Sequence, residues 1–393
     1  MSEAVVILKK GKMDRIVNGH PWIYGNEIDA ITGGQPDAGA IVDVAMKNQK
    51  FLGRGYFNPK SQIAVRLLTR NRAEKIDEDF FRTRIVACRD YRKKLGYNEN
   101  YRVVFGEGDS LPALVIDKFH DVFVLQTLSF GMERWKEVIV SILKKEFSPR
   151  GIYERNDVPV RKLEGLEERT GFLSDPFATT FNIDELGVRL QIDLVQGQKT
   201  GFFLDQKENR LALKHISEGA EVLDCFCYTG SFSLFAAAFG AKYVTGIDVS
   251  EEAVAQAKQN ASLNPFGSVC DFQCANAFDV LPQWVKEKKS FDVVILDPPA
   301  FTKSRSGIES AVRGYKEINL RALKLIRPGG FLLTFSCSHF MSEDIFQKLV
   351  SEAAVDAHRM VRQVAFLSQS KDHPIVWNIP ETNYLKGFLL QVL

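Results

Sequence analysis

AEVLDCFCYTGSFSLFAAA, residues 220–238, decides the fold. A short apolar run, AEVLD, ends on an acid. A tight loop with one glycine, Gly230, follows, and an apolar stretch of helical length runs over 231–239. The same alternation repeats downstream. YVTGID precedes a helical stretch at 251–262, VCDFQC precedes one at 278–288, and FDVVILD precedes a long one near 308–326. The turn Arg327-Pro328-Gly329-Gly330 then leads into FLLTFS, and a further helix begins near Ser342. Such alternation predicts an α/β domain from residue 186 to 393, with a mostly parallel sheet and helices on both faces. The closing run YLKGFLLQVL fits a late strand at the sheet edge, with an antiparallel direction among its readings.

Upstream the texture differs. Residues 1–70 hold the β-like runs VVILKKG, AIVDVAM, FLGRGYF and IAVRLLT, punctuated by Gly33-Gly34, Gly39, Gly53 and Gly55. They predict a small all-β barrel or sandwich. Residues 71–95 are charged and helical, with Phe80, Phe81, Ile85, Val86 and Leu95 as an apolar stripe and Gly96 as the stop. Residues 100–185 mix strands (YRVVF, ALVID, DVFVLQTL) with a helix over 132–147. Residues 71–185 therefore form a central α+β domain with a basic linker helix.

The chain has 393 residues, 45% hydrophobic and 25% charged, with a net charge of +2. Residues 1–70 carry ten Lys/Arg against six Asp/Glu, a net of +4, so the remainder carries −2. A basic first domain is a modest pointer to nucleic acid, although charge alone fits an ordinary surface. No apolar stretch is long enough to span a membrane, and the start MSEAVVILKKGK lacks a signal-peptide core, so a cytoplasmic location is expected. Six cysteines in so long a chain do not form a disulfide framework.

In a doubly wound sheet, ligands sit beyond the carboxyl ends of the strands. The loop after the first strand, Asp224 to Phe232, has a single glycine, so the dinucleotide pattern G-x-G-x-x-G is not met. A ligand without phosphates fits better, and S-adenosylmethionine is one. Asp248 ends the next strand, where a carboxylate can accept from two ribose hydroxyls. Asn276, in the third loop, suits either an adenine amine or a plain turn.

Two further loops carry chemistry. FDVVILDPPAF ends in Asp297-Pro298-Pro299, whose paired prolines fix the backbone where a base could rest. FLLTF ends in Ser336-Cys337-Ser338-His339. Carbon 5 of cytosine becomes nucleophilic when a thiolate adds to carbon 6, and Cys337 lies where such a thiolate would be needed. His339 suits a thiolate partner or a solvated loop residue. Cys88, Cys225, Cys227, Cys270 and Cys274 are expected to be buried small hydrophobes, and no metal site is expected from them.

Four runs carry a family resemblance: GHPWIYGNEI near the start, GQKTGFFLDQKENR at 197–210, DCFCYTGSFSLFAA at 224–237, and LDPPAFTKS with FSCSH. The chain resembles class I S-adenosylmethionine-dependent methyltransferases, and more closely the 23S ribosomal RNA (cytosine-5)-methyltransferases of the large-subunit methyltransferase I type. The resemblance implies an N-terminal PUA domain for RNA, a Rossmann-like catalytic domain and a homodimer. It implies Cys337 and Asp297 as catalytic residues. For the cofactor it implies Lys199, Thr200, Phe203, Asp205, Asp224, Phe226, Tyr228, Gly230, Asp248, Val249, Asn276, Ala277 and Asp297. For RNA it implies Arg15, His20, Trp22, Arg54 and Arg66. Asn276 stands where many class I members have Asp. Pro299 and Ala300 stand where other RNA cytosine-5 enzymes have a second cysteine. Three rival readings are methylation of a purine exocyclic amine, a non-catalytic RNA-binding factor, and a nicotinamide oxidoreductase, the last disfavoured by the single-glycine loop.

Overall fold

The computed structural model describes residues 4–302 and 304–393; Met1 to Glu3 and Lys303, within the run LDPPAFTKS, lie outside them. The chain divides into two compact units. The first comprises Met1–Thr180, Asp193–Leu204 and Lys371–Thr382, and the second Phe181–Ile192, Asp205–Ser370 and Asn383–Leu393.

The first unit holds two sheets. One has six strands in the order Trp22–Tyr24, Ile63–Thr69, Phe51–Phe57, Ile41–Ala45, Val5–Leu8, Ile28–Thr32. It is mixed, because Val5–Leu8 runs parallel to Ile41–Ala45 while the other pairs are antiparallel. Its apolar side buries Val6, Leu8, Ile23, Val42, Val44 and Val65. At Gly55 a Cβ would lie 2.0 Å from the Arg66 carbonyl oxygen, so only glycine allows that strand crossing.

The second sheet has five strands, in the order Arg169–Phe172, Gly151–Asn156, Val122–Thr127, Leu114–Phe119, Asn100–Phe105. The helix Glu78–Lys94 packs on it through Phe80, Phe81 and Ile85. Asp77 caps that helix by accepting from Phe80 N at 3.1 Å. Acids fill its first turn and Arg92, Lys93 and Lys94 its last, as the helix dipole favours. The helix expected over 132–147 is two helices, Phe130–Arg134 and Lys136–Phe147, joined at Trp135.

The second unit is a seven-stranded sheet with helices. Its strands are β1 (Glu221–Cys225), β2 (Tyr243–Asp248), β3 (Cys270–Cys274), β4 (Phe291–Leu296), β5 (Ile326–Ser336), β6 (Val361–Ser368) and β7 (Lys386–Val392). Between them run α1 (Ser231–Ala238), α2 (Glu251–Ser262), α3 (Ala277–Lys286), α4 (Ile308–Leu325) and α5 (Glu343–Asp356). The sheet order is β3-β2-β1-β4-β5-β7-β6. Pairs from β3 to β5 are parallel, and β7 runs antiparallel to both neighbours. The chain therefore reverses direction of travel across the sheet between β3 and β4, leaving a crevice beyond the carboxyl ends of β1 and β4.

Strands β1 and β4 are buried almost throughout, as expected where helices cover both faces. Helices α3, α4 and α5 share one apolar core with the sheet, built on Leu281, Trp284, Ile318, Leu323, Phe346 and Leu349. Helices α1 and α2 pack against β1, β2 and β3. One expectation is corrected here. The run at 386–392 is antiparallel but not at the edge: it lies between β5 and β6, and the edge belongs to VRQVAFLS at 361–368. A hairpin, Thr180–Glu185 with Val188–Asp193, was also not foreseen. Within the second unit its backbone amides at Arg189 and Gln191 donate to Asn264 and Asn260 near the end of α2.

Candidate active site

The loop between β1 and α1 is built under backbone strain. Phe226 and Tyr228 have φ of +65° and +48°, and Gly230 has +82°. A side-chain-bearing residue held left-handed costs on the order of 1–3 kcal/mol, and such residues cluster at ligand sites. The loop is fixed from several sides. The Tyr228 amide donates to Asp248 at 2.9 Å, and the Cys227 amide donates to the Ile247 carbonyl at 3.0 Å. A Cβ on Gly230 would stand 2.8 Å from Phe272 and 3.1 Å from Ala257, so the glycine also serves helix–sheet packing.

Asp224 lies at the end of β1 and is 1% exposed. One of its oxygens accepts from the Ser233 amide at 3.0 Å and the Ser233 hydroxyl at 2.6 Å. The other oxygen, Oδ1, is buried with no hydrogen-bond partner among the described residues. Burial pushes the carboxyl up to about 7; the Ser233 bonds oppose this, and the charges of Asp297 and Asp248 add to it. A buried acceptor without a donor calls for a cationic or hydrogen-bonding ligand group.

At the end of β2, Asp248 accepts from Tyr228 through one oxygen and from the Ser250 amide at 3.0 Å through the other. Each oxygen keeps a lone pair for a ligand hydroxyl. Ser250 caps α2 by accepting from Ala253 N at 3.2 Å. Beside Asp248, Val249 is 65% exposed, and Phe278 at the start of α3 is 38% exposed. Exposed apolar groups beyond a strand end suit a flat heterocycle. Asn276 is the N-cap of α3 and accepts from Phe278 N at 3.0 Å; Ala277 behind it is buried.

Across the crevice, Asp297 follows β4. Its Oδ1 accepts from Gln206 Nε2 at 3.0 Å, and Gln206 Oε1 in turn accepts from Asn209 Nδ2 at 2.5 Å. The second bond fixes which end of the Gln206 amide faces Asp297. Arg210, fully buried nearby, lies over the Phe235 ring; burial pulls its pKa down, while Glu185, Asp205 and Asp297 oppose that. Tyr384 donates to Asp205 at 2.6 Å. Phe301 sits 4.4 Å from the Tyr315 ring and 5.7 Å from Phe278, extending the aromatic wall from the Asp-Pro-Pro run toward α3.

Cys337 is the residue after β5. It is half-buried, and its Sγ lies 3.8 Å from the Pro298 carbonyl oxygen, so the structure brings the cysteine and the Asp-Pro-Pro run together. Burial pushes the Cys225 and Cys227 thiols far up and that of Cys270 to about 12, which suits inert packing groups. Cys274, expected to be buried, is exposed, because edge strand β3 turns it outward. His339 is exposed beside Phe340. Among the described residues, no group of three His, Cys, Asp or Glu side chains forms a metal cradle.

The remaining expected residues lie in the first unit. Thr200 donates to Asp117 at 2.6 Å, and Lys199 lies over the Phe203 ring at 4.4 Å. Arg15 contacts His20 and Glu27, and Trp22 donates to Glu107 at 2.8 Å; both keep partial exposure. His20 is 1% exposed and pairs with Glu381 at 3.0 Å. Arg66 is buried against Glu164 at 2.8 Å, and Arg54 is bound to Asp43 through two nitrogens. The charges of Arg54 and Arg66 are thus neutralised within the fold.

Gln206, Asn209 and Ser233 were missed as contributors. Gln206 and Asn209 fall inside the quoted run at 197–210, but nothing local links them to an acid some ninety residues later. The set fits S-adenosylmethionine: Asp224 Oδ1 faces no donor, Asp248 can take hydroxyls, and Val249 with Phe278 can flank an adenine.

Comparison with known proteins agrees. Residues 6–70 match the PUA-like domain family, and residues 166–389 match the family of S-adenosylmethionine-dependent methyltransferases. Proteins named ribosomal RNA large subunit methyltransferase I are similar over nearly the whole chain. That of Shewanella denitrificans is 43% identical over 98% of this chain and 98% of its own. That of Pseudoalteromonas atlantica is 42% identical over 99% of each. Among solved structures, a methyltransferase complexed with SAH superposes with a TM-score of 0.83 at 20% identity, over 99% of this chain and 100% of the other. A SAM-dependent methyltransferase from Streptococcus mutans gives 0.82 at 20% identity, over the same shares. These two likenesses show the fold. Sequence matches and strand order together place the chain in the S-adenosylmethionine-dependent methyltransferase family, on the branch whose curated members are named ribosomal RNA large subunit methyltransferase I.

Proposed function

We propose that this protein methylates carbon 5 of a cytosine in RNA, and that the RNA is 23S ribosomal RNA. The observation that carries the cytosine reading is the half-buried Cys337 at the strand end, its sulfur 3.8 Å from the Pro298 carbonyl of the Asp-Pro-Pro run. The ribosomal reading rests on the names of relatives more than 40% identical over nearly the full chain.

Bound S-adenosylmethionine supplies an electrophilic methyl group on a sulfonium. Asp224 would hold its amino-acid end, Asp248 its ribose, and Val249, Asn276, Ala277 and Phe278 would border its adenine. Gly230, Phe226 and Tyr228 shape the loop between. Lys199, Thr200, Phe203 and Asp205 belong to the run that borders the cofactor in the family. The target cytosine leaves its stack, at a cost of about a few kcal/mol. Asp297, oriented by Gln206, holds the base edge. The Cys337 thiolate adds to carbon 6, which places electron density on carbon 5. Carbon 5 would take the methyl group as its bond to the sulfonium breaks, the bonding electrons staying on sulfur in S-adenosylhomocysteine. A base then removes the carbon-5 proton, and the electron pair left behind expels the thiolate, restoring the ring double bond.

We assign the three segments 1–70, 71–185 and 186–393 to RNA binding, a central linking role and catalysis. Arg15 and Trp22 are the proposed RNA contacts from the earlier set, together with the exposed Lys9, Lys10, Lys12 and Arg70. Cation–phosphate contacts of this kind make binding salt-dependent. His20, Arg54 and Arg66 are reassigned to holding the sheet. The chain is further proposed to act as a homodimer in the cytoplasm; no helix among the described residues is long and apolar enough to cross a membrane.

RNA carrying 5-fluorocytosine tests the reading, because fluorine cannot leave as a proton does. Wild type should form a methylated, denaturation-resistant protein–RNA adduct, and Cys337→Ala should form none while still binding S-adenosylmethionine. Normal turnover by Cys337→Ala would overturn covalent catalysis and favour methylation of an exocyclic amine.

A further inference from the structure

Lys386 opens β7 and is 5% exposed. It sits opposite Ser336, the last residue of β5, in the antiparallel register. Its Nζ donates to the Ser338 carbonyl at 3.1 Å and the Tyr384 carbonyl at 3.0 Å. The lysine thus meets the residue on each side of Cys337, one by strand pairing and one by hydrogen bond. No carboxylate lies within salt-bridge distance of the amine among the described residues. A buried ammonium satisfied only by carbonyl dipoles costs several kcal/mol unless an anion is near. The thiolate form of Cys337 is such an anion.

We propose that Lys386 is a positioning residue for the cysteine: its ammonium, held against the residues flanking Cys337, supplies the positive charge that keeps that sulfur ionised before a base arrives. Among the described residues, Asp297, which precedes the Pro298 that Cys337 touches, acts on Tyr315 together with Cys337, and three further titratable groups lie near the pair. Glu343, at the exposed start of α5, acts on Lys386 from the solvent side. Tyr315 on α4 faces Cys337, and burial raises its phenol so that it stays neutral. His339 shares the loop and is exposed. Burial pulls the Lys386 amine below its ordinary value, while Cys337 and Glu343 oppose that loss. The purpose of the pair rests on the nucleophile reading of Cys337, but its measurement does not.

The experiment is the pH profile of iodoacetamide alkylation at Cys337, resolved by peptide mass spectrometry in the full-length protein. Exposed Cys274 in the same sample is the internal control. Wild-type Cys337 should react with a midpoint below the ordinary thiol value of about 8.5. Lys386→Met, which keeps the aliphatic stem, should move that midpoint upward and slow alkylation at pH 7 about tenfold for each unit moved. Lys386→Arg should restore it. An unchanged Lys386→Met profile would overturn the proposal. So would a wild-type midpoint at or above the ordinary value, which remains measurable if the methionine variant does not fold. Adduct formation with fluorocytosine alongside an unchanged profile would leave the nucleophile standing and remove the lysine's role.

Discussion

Asp224 offers a quantitative test of the cofactor cradle. Burial pushes its carboxyl up to about 7, against an ordinary value of 3.8. A carboxyl whose pKa is raised by folding binds its proton more tightly in the native state. Between about pH 4 and 7 the unfolded carboxyl has ionised while the folded one has not, so stability falls as pH rises through that window. Each unit is worth about 1.4 kcal/mol, and roughly two of the three units lie above pH 5, so about 3 kcal/mol should be lost between pH 5 and 8.5. Asp224→Asn is nearly isosteric and neutral throughout. Its amide can still accept from Ser233, and its NH2 replaces the partnerless Oδ1 at a pH-independent cost of about 1–3 kcal/mol. The informative quantity is therefore the change with pH in the stability difference between wild type and variant. Hydrogen exchange of the β1 amides, read at pH 5 and 8.5 after correction for intrinsic rates, reports opening of this sheet specifically. The variant should gain about 3 kcal/mol on wild type between the two pH values. A difference that stays constant within about 0.5 kcal/mol would mean that Asp224 ionises normally, and the argument from a desolvated carboxylate would fail.

Two further outcomes follow from buried geometry. Gly230→Ala places a Cβ 2.8 Å from Phe272 at a φ of +82°, and should destabilise the second unit by about 1–3 kcal/mol in urea unfolding. Glu164→Gln removes the carboxylate paired with buried Arg66, leaving only the more remote Glu107, and should lower stability by about 3–5 kcal/mol, whereas the double variant Arg66→Met/Glu164→Leu should recover most of that loss. A Glu164→Gln protein as stable as wild type would show that solvent already reaches the guanidinium.

Features encoded within one element could be read from sequence. The apolar runs of β1, β2 and β4 and the starts of α2 and α5 are local signals, and each appears in the fold close to where it was expected. Partnerships between distant segments could not be read. The order that inserts β7 between β5 and β6 leaves no mark in YLKGFLLQVL, and β6 has a half-exposed pattern that periodicity does not favour. Trp135 fits a helical stripe yet marks a break between two helices. Within the crevice, the strand-end acids were identifiable from topology alone. The amide relay from Asn209 through Gln206 to Asp297 was not, because Gln206 and Asp297 are separated by about ninety residues. Arg66 and His20 suited an RNA face by residue type, but their carboxylate partners, Glu164 and Glu381, arrive from far along the chain.

The place of β7 also dictates an order of assembly. Among the described residues, strand β6 has no hydrogen-bonded neighbour in the sheet except β7, which the ribosome makes after it. Until residues 386–392 emerge, the growing chain carries a finished five-strand parallel core whose outer border, β5, is apolar and unsatisfied. Such a border is a template for wrong pairing with a neighbouring nascent copy. Pairing of β7 therefore closes the sheet, brings Lys386 opposite Ser336 and covers the β5 border in a single step.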